Sequence, residues 1–347
     1  MKAVRFHEFG DSSVLRLEEI DDPRPGAGEV LIRNRASALN RLDIDVREGI
    51  SRFPVALPHI LGVEVAGEIV EVGEGVTGWA PGDRVNPYIL GTCGECRFCR
   101  SGRESLCLTP GFISFSTGGG YAEMLVCPAR QLVRIPDGVS FEDAAALQVA
   151  FATSWHMLFT RAQLVAGETV MINSVGSGIG SAAVQLARHA GAFVIGNASS
   201  DEKLARAREL GLDEGINHAT EDVVARVMEL TDGAGVDVVY EHVGGDLFQK
   251  GLDSLSKDGR LVTCGAHAGE VVPFDIIPFF RTQKRIIGSF VYTRQEVEKC
   301  FDLLARRLIE PLVHSTFPLE QAAEAMDVME RREHFGKILL TPRDEGA

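Results

Sequence analysis

The sequence predicts an α/β protein of two domains, a compact barrel-like β domain and a doubly wound parallel sheet with helices on both faces. Three observations carry this reading. The chain has 347 residues, more than one hydrophobic core ordinarily serves. Its first third is a series of short strand-like runs cut by glycine turns. Its middle alternates apolar strands with helical stretches, the pattern of a parallel sheet buried on both sides.

Taken in order, residues 29–33 (EVLIR) and 64–72 (EVAGEIVEV) read as strands, with turns at 73–75 and 81–82. Residues 169–173 (TVMIN) form an apolar strand, a glycine turn follows, and 181–189 has helical spacing. A strand at 193–195, a charged amphipathic helix at 202–210, and strands at 237–240 and 260–263 continue the alternation. A helical stretch at 296–308 and a short strand at 337–340 follow, and the polar tail at 342–347 is expected to fray.

Charge excludes whole classes of partner. Asp and Glu number 49 against 35 Lys and Arg, a net charge of −14, which argues against nucleic acid and anionic membranes as partners. The partner expected is a small-molecule substrate. No run of 18 apolar residues predicts a membrane span. The N-terminal stretch MKAVRFHEFGDSS has no apolar signal core, so the protein is expected in the cytoplasm.

Of seven cysteines, four fall between residues 93 and 107. Cys93, Cys96, Cys99 and Cys107 have the spacing C-x2-C-x2-C-x7-C. Four thiolates on a short glycine-containing loop can surround one Zn²⁺ tetrahedrally, whereas an iron–sulfur loop prefers three residues before the last cysteine. Four sulfur ligands leave no open position, so this zinc is expected to hold a loop and take no part in chemistry. Cys127, Cys264 and Cys300 read as small buried hydrophobes.

The turn SVGSGIG at 174–180 lies between a strand and a helix. Such a turn lets backbone N–H groups approach a pyrophosphate, whose charge the helix N-terminus stabilises. Gly176, Ser177, Gly178, Ile179 and Gly180 are therefore the candidate cofactor residues, although Val175 and Ser177 stand where the pattern G-x-G-x-x-G has its first two glycines. About 20 residues on, a site for NAD places an acid on the ribose; here the position is Ala198. With Ser199, Ser200 and Lys203 nearby to bind a 2′-phosphate, NADP(H) is the expected cofactor. Asp201 and Glu202 count against this, and both also suit a helix's first turn, as Ser200 suits its N-cap.

With these motifs in place the chain resembles the medium-chain dehydrogenase/reductase superfamily, which includes zinc alcohol dehydrogenases and quinone oxidoreductases. The resemblance runs through the four-cysteine lobe, GYAE at 120–123, the glycine turn, GVDVV at 235–239 and GKI at 336–338. It implies a chaperonin-10-like catalytic domain at 1–146 and 293–347, its C-terminal segment folding back on the N-terminal part. It also implies a Rossmann domain at 147–292, a cleft at the junction, and Thr153 and Lys337 among the cofactor residues. A homodimer or homotetramer is implied as well, with the apolar stretch 271–280 and the strand-like 285–291 as an edge for pairing.

Catalytic-zinc members of that family hold a second zinc through Cys, His and Cys or Glu. The matching positions here are Asn40, Val63 and Val149. Val63 and Val149 cannot bind metal and Asn40 is a poor ligand; His59, four residues before Val63, reads as an ordinary loop histidine. The expectation is a lobe zinc kept and a catalytic zinc lost. Alcohol oxidation suffers without a Lewis acid, whereas hydride addition to a quinone or enone needs only positioning and a few hydrogen-bond donors. An NADPH-dependent reductase is thus the leading expectation, with Asn40 and Asp43 as candidate catalytic groups. An alcohol or aldehyde dehydrogenase with atypical ligands, and a non-catalytic NADPH-binding protein, are the alternatives.

Overall fold

The computed structural model describes residues 1–343; the end of the tail expected to fray lies outside them. The chain divides into two compact units, Met1–Val149 with the chain from Thr293 onward, and Ala150–Tyr292.

The first unit is built on β-structure. Strand Glu29–Ala38 is its spine, with seven of its ten residues buried. It pairs antiparallel with Glu64–Val72, with Met124–Pro128 and with the C-terminal strand Lys337–Thr341. The whole sheet has seven strands, and a three-stranded sheet of Arg16–Glu19, Lys2–Phe6 and His59–Ile60 accompanies it. Val30, Ile32, Val65, Ile69, Val85 and Leu125 fill the core between strands. The pairing of Leu339 with Ala38 brings the chain's last strand beside the start of helix Arg41–Arg47. That placement puts Lys337 next to Asn40, which no reading of the linear sequence showed.

The second unit is a six-stranded sheet, parallel throughout. Its spatial order is Glu214–Asn217, Phe193–Ala198, Thr169–Ile172, Val236–Glu241, Leu255–Thr263, Arg285–Gly288. The order reverses between Thr169–Ile172 and Val236–Glu241, and ligands of such sheets bind outside the strand carboxyl ends at that point. Val170, Met171, Ile172, Val194, Ile195, Val238 and Val239 are all buried, as strands covered on both faces require. Strand Glu214–Asn217 (EGIN) escaped sequence reasoning because it carries a single buried apolar side chain, Ile216. Cys127 and Cys300 are buried, whereas Cys264 is half-buried, its strand having just ended at Thr263.

Candidate functional site

The glycine turn follows strand Thr169–Ile172 and feeds helix Gly178–His189. Ser177 is the helix N-cap, its Oγ accepting from the Gly180 N–H at 2.9 Å. Ser174 sits at φ +51°, the left-handed region that non-glycine residues seldom enter. Gly180 is obligatory for a packing reason, because a Cβ there would lie 2.3 Å from the Ser174 carbonyl oxygen. The helix start offers unpaired N–H groups and the positive end of its dipole, a seat for an anion.

A buried polar network holds the turn from below. The Ser174 N–H donates to Asn197 Oδ1 at 3.1 Å, and Asn197 Nδ2 donates to Asn173 Oδ1 at 2.6 Å. Asn173 Nδ2 in turn reaches Glu241 Oε1 at 3.4 Å. The Glu241 carboxylate also accepts from the Val243 and Gly244 N–H groups, and burial raises its pKa above the ordinary range. On the helix side, Ser154 Oγ lies 2.9 Å from the Tyr240 hydroxyl and donates to the Ile179 or Ala150 carbonyl. Thr153, the neighbouring residue, is buried.

Ser199, Ser200 and Lys203 stand at the end of strand Phe193–Ala198 and the start of helix Asp201–Glu209. Ser200 spends its hydroxyl capping that helix, accepting from the Lys203 N–H. Ala198 is buried, and Asp201 is tied to Asn217 by a 2.9 Å hydrogen bond.

In the first unit, Lys337 is committed elsewhere than expected. Its ammonium donates to the Leu39 carbonyl (2.8 Å), Asn40 Oδ1 (2.8 Å) and Glu64 Oε2 (2.9 Å), which uses all three of its N–H groups. Lys337, expected from the sequence among the cofactor residues, is here the counter-ion of Glu64, which is 0% exposed. Glu64 Oε1 accepts from the Val149 N–H at 2.7 Å, and Oε2 also accepts from Asn40 Nδ2 at 3.2 Å. The Asn40 amide therefore faces Lys337 on one side and Glu64 and the Ala38 carbonyl on the other. Asp43 is 2% exposed and accepts from the Asn40 N–H, the Gly62 N–H and the Tyr121 hydroxyl. Burial pushes its pKa up to about 6. Both candidate catalytic side chains are thus turned into the protein as the start of helix Arg41–Arg47 folds.

The cysteine lobe brings its four sulfurs within 4.8 Å of one another. Cys96 and Cys99 Sγ are 3.5 Å apart, Cys93 and Cys107 3.6 Å, and Cys93 and Cys99 3.8 Å. Tetrahedral Zn–S bonds of about 2.3 Å place sulfurs roughly 3.8 Å apart, so these residues fit one zinc ion with no position left for substrate. Among the described residues they are the one group of three or more His, Cys, Asp or Glu side chains close enough to hold a metal.

The alcohol dehydrogenase GroES-like domain matches residues 26–137, and the zinc-binding dehydrogenase domain matches residues 178–306. The quinone oxidoreductase of Pseudomonas aeruginosa is 32% identical over 98% of this chain and 99% of its own length. The chain belongs to the medium-chain dehydrogenase/reductase superfamily. A 2-haloacrylate reductase of Burkholderia sp. (32%, 98% of this chain and 99% of its own) and an alcohol dehydrogenase of Geobacillus stearothermophilus (34%, 98% and 99%) are similar to the same extent. A solved NAD-dependent alcohol dehydrogenase superposes with a TM-score of 0.94 at 34% identity, covering 99% of this chain and all of its own. The chain is an oxidoreductase of this superfamily with a dinucleotide-binding parallel-sheet domain, and it lies toward the quinone oxidoreductase-like branch.

Membership sharpens the question of a second zinc. The donor set does not fit one: Val63 and Val149 have no ligand atoms, and Glu64, the carboxylate bonded to the Val149 N–H, is paired with Lys337. His59 is buried among Phe6 and Phe115, bonded to Ser114 Oγ at 2.9 Å, and burial lowers its pKa to about 4. The polar residues at the carboxyl end of the parallel sheet that sequence reasoning passed over are Asn173, Asn197, Glu241 and His242. Their signal was available: each is a polar side chain at the carboxyl end of an apolar strand, where parallel sheets bind ligands.

Proposed function

We propose that this chain uses NADPH to reduce a quinone or a carbonyl-conjugated alkene, with no catalytic metal. The observation that carries the reading is the Asn40–Glu64–Lys337 cluster, in which Asn40, at the position of a zinc cysteine in the family, is hydrogen-bonded to a buried ion pair. The cofactor, held by the turn at 174–180, would supply the hydride for the electron-poor carbon, and the oxyanion left on the acceptor would be protonated by solvent water. The protein's share is positional. The turn and helix N-terminus at 174–180 anchor the dinucleotide's phosphates, and the polar network beneath keeps that turn fixed. Choice of NADPH rests on Ala198, which presents no carboxylate to a 2′-phosphate, and on the hydroxyl of Ser199 and the charge of Lys203. Asp201 is held toward Asn217.

The names of the quinone oxidoreductase and 2-haloacrylate reductase relatives support the reductase reading. Alcohol oxidation is the second reading, favoured by relatives named alcohol dehydrogenase at 34% identity. Counting zinc on purified protein and screening NADPH and NADH against quinones, enones, 2-haloacrylate and alcohols separates the two. The reductase reading expects one zinc per chain and NADPH-dependent reduction that survives chelation. A second zinc, with chelator-sensitive alcohol turnover, would overturn it.

A further inference from the structure

His242 follows strand Val236–Glu241 directly and is 6% exposed. Its strand neighbours Thr169–Ile172 where the sheet order reverses, the place at which such sheets take their ligand. The imidazole bridges the two strand ends: Nε2 lies 3.0 Å from the Asn173 carbonyl oxygen and 3.5 Å from Ser177 Oγ. A carbonyl only accepts, so Nε2 carries the proton. Burial lowers the His242 pKa to about 4, and the nearby His267 acts in the same direction. The ring is therefore neutral and offers hydrogen bonding, not charge.

What it bonds is the odd feature of this turn. Ser177 stands where the usual pattern has a glycine that lets the backbone approach a pyrophosphate. A serine brings a Cβ and a hydroxyl to that seat. A hydroxyl has one proton and two lone pairs. Here the proton goes to the Ser174 carbonyl (3.0 Å), and the lone pairs face the Gly180 N–H (2.9 Å) and the His242 Nε2–H. Every hydrogen-bonding direction of Ser177 is drawn into the protein.

We propose that His242 is a positioning residue for the dinucleotide: it pins the Asn173 carbonyl and holds the Ser177 hydroxyl inward, keeping the pyrophosphate seat open in a turn that lacks the usual glycine. The inference rests on the reading of this turn as a dinucleotide seat. It makes the histidine's importance conditional on the serine. With glycine at 177 nothing remains to be held aside.

The test titrates NADPH and NADH into the full chain by nicotinamide fluorescence. Five proteins are compared: wild type, His242→Ala, His242→Val, Ser177→Gly and His242→Ala/Ser177→Gly. His242→Ala should weaken binding about tenfold, the worth of one hydrogen bond to a neutral group. His242→Val fills the space without donating and should lose as much, which keeps the test alive if the alanine variant fails to fold; Ser177→Gly is then added to the valine variant. Ser177→Gly alone sets the reference, since glycine is an acceptable N-cap, and each double variant is judged by whether it binds within about threefold of that reference. Added to a His242 variant, it should restore affinity to that range while leaving the lowered thermal midpoint unrestored. A histidine that merely packs the core gives the same loss with or without Ser177, and absence of rescue overturns the proposal, as does wild-type affinity in both His242 variants. If wild type binds neither dinucleotide, the underlying reading of the turn falls instead.

Discussion

Replacing Lys337 with methionine removes the counter-ion of a carboxylate that water does not reach. Glu64 keeps the Val149 N–H and the Asn40 amide as donors, both neutral. Breaking a buried pair by deleting one partner ordinarily costs about 3–5 kcal/mol, since the surviving charge is left uncompensated. Two further acceptors, the Leu39 carbonyl and Asn40 Oδ1, lose the same donor, so the upper half of that range is expected. Deleting both charges, as Glu64→Gln with Lys337→Met, removes the uncompensated ion, and the double variant should recover at least about 2 kcal/mol relative to the sum of the single losses. Equilibrium urea unfolding followed by circular dichroism measures all four corners of this cycle. A Lys337→Met loss below about 1 kcal/mol, typical of exposed pairs, or additive losses in the double variant, would refute the assignment of Lys337 as a buried counter-ion.

Other outcomes follow from the same geometry. Asp43 is protonated below pH about 6 when folded but only below its ordinary value of 3.8 when unfolded; the folded state binds more protons in that window, so stability falls as pH rises through it. Comparing Asp43→Asn with wild type at pH 4.5 and pH 7, the variant should gain about 2 kcal/mol in relative stability between the two, and a difference independent of pH counts against the raised value. Purified protein should carry one zinc per chain by elemental analysis, and Cys107→Ser should reduce this to well below one and lower the thermal midpoint, since structural zinc contributes folding energy. The sheet edge Arg285–Gly288 is flanked by the exposed side chains of Phe280 (59%), Ile276 and Phe290, a patch expected to be covered by a second copy. Phe280→Asp should shift the mass from light scattering toward one chain; an unchanged oligomeric mass would place the contact elsewhere.

Much of the fold could be read in advance because its signals are local. The apolar runs at 169–172 and 236–241, the turn at 174–180 and the cysteine spacing each fit within about a dozen residues, and each formed the expected structure. What escaped was decided by register. The family resemblance implied Lys337 among the cofactor residues and gave no sign of its ion pair; it faces Glu64 because strand Lys337–Thr341 pairs with Glu29–Ala38, some 300 residues away in the chain. Asn40 drew notice because it stands at the position of a zinc cysteine in the family, and Asp43 as a carboxylate near it; the fold places them at the start of a helix and against a buried ion pair, contacts no linear reading showed. His242 was passed over although it follows a strand that was recognised, because its meaning depends on Ser177, which lies in another strand–turn–helix unit.

That difference has a chemical consequence. A metal site is specified by ligand atoms that a sequence displays, so the lack of such atoms at Val63 and Val149 was legible at once. Beside them lies an arrangement of ordinary hydrogen bonds whose value comes wholly from being buried and mutually satisfied. Glu64 without Lys337, or Ser177 without His242, would be a liability at the same coordinates. Substitutions in these clusters should therefore show strong pairwise dependence, and so should those in the zinc lobe, where removal of a single cysteine should be as damaging as removal of two because four sulfurs make one closed site.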